Sequence, residues 1–192
     1  VISKERFLDM ENSSSNAGCT IKFREDSIFL DPRNIELGAR IVTNLEKLYL
    51  SLKKLRLQSA DKNEYYKLSH EIGIPQKNTD KLQNKLFGIE CNFDELNAID
   101  FKKGCYIGQE NTARIKLKDK LNKRLLPIEV IEGDLENDVI SIEKDEIGKV
   151  LINDDYPYAL IKVKSEKFDF DKTFNCGSAK VKIKKPDWLQ IT

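Results

Sequence analysis

The chain is short of the residues that carry most side-chain chemistry. It has one His, His70, so any imidazole-based catalysis would run through that residue alone. Its four Cys, Cys19, Cys91, Cys105 and Cys176, are scattered and form no CxxC pair. That spacing is not a disulfide framework, and it points to a reducing compartment. Without CxxC pairs and with a single His, a complete tetrahedral zinc site within the chain is not expected. An excess of one charge is also missing: 33 Lys+Arg against 32 Asp+Glu leave a net charge of +1. A generic polycation is excluded, so any anion or nucleic-acid site must be a local patch. No apolar run approaches the roughly 18 residues of a membrane span. No secretory leader is visible, and the start on Val1 suggests a processed or truncated chain.

Apolar material, by contrast, is ample. Ile, Leu, Val and Phe make up about 30% of the 192 residues, well above the roughly 20% below which chains usually stay disordered. A core can form, in one large domain or two to three small ones. Lys outnumbers Arg, 26 to 7, a bias that looks like base composition of the coding DNA.

Residues 1–18 are polar around Asn12-Ser13-Ser14-Ser15-Asn16 and read as a loop or frayed end. Cys19 to Leu30 suggests two short strands joined near Asp26, and Leu37–Val42 a further strand. Asp31-Pro32-Arg33-Asn34 between them is a turn. Leu45, Leu48, Leu52 and Leu55 fall at helical spacing and predict an amphipathic helix over 44–57. A second helix is expected over 61–72, with Asp61 as N-cap, Gly73 just past its end and Pro75 blocking continuation. His70 lies on it and reads best as a surface or helix-end residue. Thr79 or Asp80 should cap a short helix through Leu86, and 109–117 should be helical. The last third changes period: Leu125–Ile131, Val139–Ile142, Gly148–Ile152, Ala159–Val163 and Ala179–Ile183 are short runs separated by turns. They suggest a small antiparallel barrel or sandwich, with Pro127 at an edge or a bulge.

The chemistry concentrates in one segment. Cys105 lies between Gly104 and Gly108, just before the predicted helix N-terminus, with Lys102 and Lys103 beside it. Free N–H groups and the positive helix end stabilise a thiolate, which can act as a nucleophile or a soft-metal ligand. A buried thiol in a tight turn is the plainer alternative.

Lys103-Gly104-Cys105-Tyr106-Ile107-Gly108-Gln109-Glu110 resembles the KGCYxGQE motif of the YgfZ family, folate-binding proteins related to the glycine-cleavage T-protein aminomethyltransferase. Glu90-Cys91-Asn92-Phe93-Asp94-Glu95-Leu96, Asp31-Pro32-Arg33 with Leu37-Gly38-Ala39-Arg40, Gly73-Ile74-Pro75 and Pro186-Asp187-Trp188-Leu189 are similar to four further elements of that family, in family order. The resemblance implies an α+β chain, the C-terminal part of a three-domain aminomethyltransferase-like fold that ends in a small antiparallel β-barrel. Residues 1–58 would be a remnant of the N-terminal folate-binding domain, 59–124 a helical middle segment with the Cys loop, and 125–192 the barrel domain.

It also implies tetrahydrofolate as cofactor and a role in assembling or repairing iron–sulfur proteins, with indirect effects on tRNA modification. Carried over by residue, Cys105 is the motif thiolate and a cluster ligand shared with a partner. The cluster would be transient, and the partner an A-type iron–sulfur scaffold or a client iron–sulfur protein. Gly104, Tyr106, Gly108, Gln109, Glu110 and Arg114 would shape the binding loop, and Glu90 would face the pterin edge, where a carboxylate can accept paired N–H bonds. Cys91 stands where the family usually has Ala. The compartment implied is the bacterial cytoplasm or the mitochondrial matrix.

Two other readings compete. One is a tetrahydrofolate-dependent one-carbon transferase, against which Cys105 argues. The other is direct tRNA binding through Arg114–Arg124, a run of six positive charges and one negative. That run could also meet the anionic tail of folate, and it lacks the aromatic residues of a base-stacking platform. Trp188 reads as a barrel plug or domain-interface residue.

Overall fold

The computed structural model describes residues 1–104, 107, 109–117 and 121–190. They fall in two compact units, Val1–Leu68 and Ser69–Thr192.

In the first unit, strands β1 (Thr20–Phe23), β2 (Asp26–Leu30) and β3 (Ala39–Val42) form an antiparallel sheet with β2 in the middle. The expected strand pair and turn are present. Alternation along β2 turns Ile28 and Leu30 onto a core with Ile2, Phe7, Ile21 and Ala39. Phe7 comes from a short helix, α1 (Lys4–Leu8), inside the stretch that reads as a loop. One buried aromatic in a five-residue helix offers no periodicity to read, but Ser3 caps it and Ile2 exchanges backbone bonds of 2.7 Å with Ala39. The close approach of the chain start needs Gly38, where a Cβ would lie 2.2 Å from the Ile2 carbonyl oxygen.

Asp31 anchors the following turn. Its buried carboxylate accepts from the Arg33 backbone N–H and Nε, both at 3.0 Å, and from Arg40 Nε at 2.9 Å. Burial alone would raise this carboxyl's pKa, but the donors of Arg33 and Arg40 outweigh it and hold it below the usual range. Helix α2 (Leu45–Lys54) forms where the leucine spacing predicts, capped by Asn44. Its apolar residues are not core, however: Leu45 is 82% and Tyr49 71% exposed.

In the second unit, β4 (Lys123–Glu132), β5 (Val139–Ile142), β6 (Asp145–Ile152), β7 (Tyr158–Lys162), β8 (Thr173–Cys176) and β9 (Ala179–Ile183) close an antiparallel barrel in the order β4-β7-β6-β5-β8-β9. The all-β tail is thus confirmed as a barrel, with β8 in addition to the runs read from sequence. Four residues with two inward side chains, Phe174 and Cys176, are too few to show alternation. Inside lie Leu126, Ile128, Ile140, Ile147, Ile161 and Val181 among others. Pro127 is at neither an edge nor a bulge. It sits where β4 leaves β7 (Pro127↔Tyr158) and joins β9 (Ile128↔Ile183), a hand-over where a missing N–H costs no ladder bond.

Helix α3 (Lys62–Ile72) starts on Asp61, whose Oδ1 accepts from Asn63 N at 2.7 Å, and ends at Gly73 with φ +87°, as expected. The helix expected from Thr79 through Leu86 shrinks to a 3₁₀ turn, Thr79–Leu82. Asn84 adopts a left-handed φ of +59° and stops it, and Asn78 donates its side-chain amide to Asp154 instead of capping. His70 also differs from expectation. It is buried, with Nε2 3.1 Å from the Pro157 carbonyl oxygen and its ring edge-on to Tyr158 at 5.3 Å. Trp188 Nε1 donates to the Ile72 carbonyl at 2.7 Å, one of the acceptors a helix end leaves free. Together they dock the end of α3 on the barrel. Among the described residues, no helix is long and apolar enough to cross a membrane.

Burial lowers the His70 pKa, and Lys184 lowers it further, against the carbonyls of Pro157 and Ile128 and the charge of Asp154. The unfolded chain therefore binds this proton first. Stability should be full above about pH 6.5 and fall as the pH drops below it. Urea unfolding at several pH values between about 7.5 and 5.5 should show that slope in the wild type and lose it in His70→Phe.

Candidate functional site

The motif cysteine, Cys105, with Tyr106 and Gly108, lies outside the described residues. Its neighbours are placed. Gly104 is exposed, and a Cβ there would meet nothing within 4 Å. Helix α4 (Gln109–Leu117) begins directly after the loop, as expected, with Gln109 half-buried and Glu110 and Arg114 exposed.

The segment before it is a series of turns, and its polar side chains are spent on holding it to β4. Glu90 is half-buried. Its Oε2 accepts from Phe87 N at 2.9 Å, and its carbonyl accepts from Leu125 N at 2.8 Å. Asn92 is buried in a left-handed conformation, φ +62°, which Asn tolerates better than most residues. It donates to the Leu125 carbonyl at 2.8 Å and accepts from Arg124 at 3.2 Å. Arg124 pairs with Glu95 Oε1 at 2.5 Å, the two side chains 10% and 15% exposed. Glu95 Oε2 is buried and has no hydrogen-bond partner among the described residues.

Glu95 and Arg124 stand at the side of a cleft of about 460 Å³ walled by Ile89, Asp94, Ile115, Lys116, Lys164 and Trp188. Lys116 pairs with Asp94 and lies 4.3 Å from the centre of the Phe101 ring. The cleft therefore offers an aromatic wall, carboxylates and ammonium groups. Asn92, Glu95, Arg124 and Trp188 are the site residues that the sequence reading did not assign. Spacing gives no signal for them, because the barrel strand β4 brings Arg124 back to a turn some thirty positions earlier. The basic run is also reduced as an RNA patch: Arg124 is buried and Lys116 is paired.

Two other thiols, Cys91 and Cys176, are held away from the thiolate form. Burial, with the Glu90 charge beside it, pushes the Cys91 thiol up to about 11. Burial also raises Cys176, whose Sγ donates to the Asn137 carbonyl at 3.2 Å. Among the described residues, no three His, Cys, Asp or Glu are gathered as a metal ion would need.

Two outcomes follow. Cys91 should resist maleimide labelling at pH 7.5 in the folded chain and react once it is denatured. Glu95→Ala should destabilise the second unit by about 3–5 kcal/mol, since it strands the buried Arg124 charge. Glu95→Gln, which keeps an acceptor, should cost less in the same denaturant titration.

No family model matches the chain. Curated proteins do. It is 34% identical over 112 residues to an iron–sulfur cluster assembly factor IBA57 homolog, mitochondrial, of Dictyostelium discoideum, covering 58% of this chain and 28% of that protein. The mouse mitochondrial iron–sulfur cluster assembly factor IBA57 is 36% identical over 105 residues, 55% of this chain and 28% of that protein. The Neurospora crassa homolog is 35% identical over 97 residues, 50% and 22%. The matched part spans about a quarter of the length of these relatives. Over about half of its own length this chain is similar to proteins named iron–sulfur cluster assembly factor IBA57.

Proposed function

We propose that the chain is the C-terminal part of a three-domain folate-binding accessory protein that assembles or repairs iron–sulfur proteins in the mitochondrial matrix. Its homology to proteins named for iron–sulfur cluster assembly carries this reading. Effects on tRNA modification would be indirect, through iron–sulfur enzymes that modify tRNA.

The cluster is cargo, and Cys105 would supply one thiolate to it. A cluster usually takes four protein ligands. Cys91 and Cys176 are both shifted away from the thiolate form that binds iron. The remaining ligands would then come from a partner, an A-type scaffold or the client itself. Gly104 leaves open space beside the loop, and Lys102 and Lys103 offset the charge of an anionic cluster.

The cleft suits a folate. Tetrahydrofolate, when bound, supplies a reduced pterin that carries one-carbon units. The pterin edge presents N–H donors, and the buried Oε2 of Glu95 is an acceptor without a donor. Trp188 would supply a stacking wall, and Lys116 and Lys164 the cations that meet the glutamate tail. Glu90, next in sequence to the cleft residue Ile89, and Gln109, Glu110 and Arg114 on α4 would be further contacts.

Cys105→Ser should abolish cluster-dependent complex formation with an A-type scaffold in anaerobic reconstitution, while Cys19→Ser and Cys176→Ser leave it intact. A stable cluster on this protein alone would overturn the shared-ligand mechanism. By calorimetry, Glu90→Ala and Glu95→Gln should each weaken tetrahydrofolate binding about ten-fold or more. Unchanged affinity in both would remove folate from the cleft.

A further inference from the structure

The outer wall of the barrel carries a second depression, away from the residues just discussed. It measures about 310 Å³ and is lined by Lys85, Lys123, Lys149 and Lys162, with Glu146, and Leu151 and Leu160 also lining it. The register explains the crowding. Lys123 on β4 stands directly opposite Lys162 on β7, and Lys149 on β6 stands opposite Leu160. Like charges directly opposite on a sheet are destabilising, so the arrangement costs the barrel stability. Two lysines are partly compensated: Lys162 donates to Glu146 Oε1 at 3.0 Å, and Lys149 pairs with Asp138 at 2.8 Å. Lys85 and Lys123 carry no ion pair among the described residues, and both are exposed. The depression is left with an excess of two positive charges around an aliphatic floor.

We infer that this face docks an acidic segment of a partner protein that carries an aliphatic side chain among its carboxylates. Charge complementarity and the leucine floor argue for that occupant. The depression has no aromatic lining on which nucleotide bases could stack, which disfavours single-stranded RNA. The barrel is closed, so its strands offer no free edge for strand addition, and recognition must run through side chains. Three adjacent strands, β4, β7 and β6, place Lys123, Lys162 and Lys149 across about 10 Å, a width that a short extended segment spans. The inference does not depend on folate or on Cys105.

The test is fluorescence anisotropy on the whole chain with a labelled hexapeptide of alternating glutamate and leucine, at about 50 mM salt. The wild type should bind it, more tightly than a hexapeptide of glutamate alone. Lys85→Glu/Lys123→Glu should weaken binding at least ten-fold, and Lys85→Gln/Lys123→Gln by several-fold. Lys172→Glu/Lys182→Glu, an equal change of net charge elsewhere on the barrel, should stay within about two-fold. Equal loss in that control, no binding by the wild type, or tighter lysine-dependent binding of an oligouridylate of the same length would each overturn the inference.

Discussion

A guanidinium taken out of water has to be paired, and the architecture around the cysteine loop follows from how Arg124 is paired. Its partners, Glu95 and Asn92, stand on the turn segment that precedes the loop. The Glu90 carbonyl, accepting from Leu125 N–H, and the Asn92 side-chain amide, donating to the Leu125 carbonyl, fix the same turn to the same strand. A series of turns has no ladder of its own, so these contacts with β4 supply its order. The loop's lead-in is thereby tied to a strand of a closed barrel.

The pairing is incomplete: Glu95 gives one oxygen to Arg124 and leaves the other buried without a donor among the described residues. Structures rarely keep such a group unless something meets it. The same cleft wall holds Trp188, which also closes the end of α3, so one residue serves both the scaffold and the site.

The fold was legible where period and caps agree. Asp61 and Gly73 bracket α3, and the alternating runs after Leu125 give the barrel its strands. It was not legible where one residue does the work: Phe7 in α1, the two inward side chains of β8, or Asn84 halting a helix. His70 misled for a related reason. A polar residue near a helix end is usually solvated, and only the carbonyl of Pro157, far along the chain, makes its burial tolerable. The candidate site was legible as a motif and as ordered family elements; the structure puts Glu90 in the turn segment held to β4 and Arg114 exposed on α4. The Arg124–Glu95–Asn92 set was not, because long-range charge pairing leaves no mark in local spacing.

The one tryptophan of the chain has a practical consequence. Its indole N–H is held by the Ile72 carbonyl, and its ring forms part of the cleft wall. Intrinsic emission excited near the red edge of protein absorption therefore comes from a single known place. It reports on the seating of a helix end and on occupancy of one cleft, while events confined to Val1–Leu68 remain dark. The protein carries its own optical gauge of the second unit, with no label needed to read it.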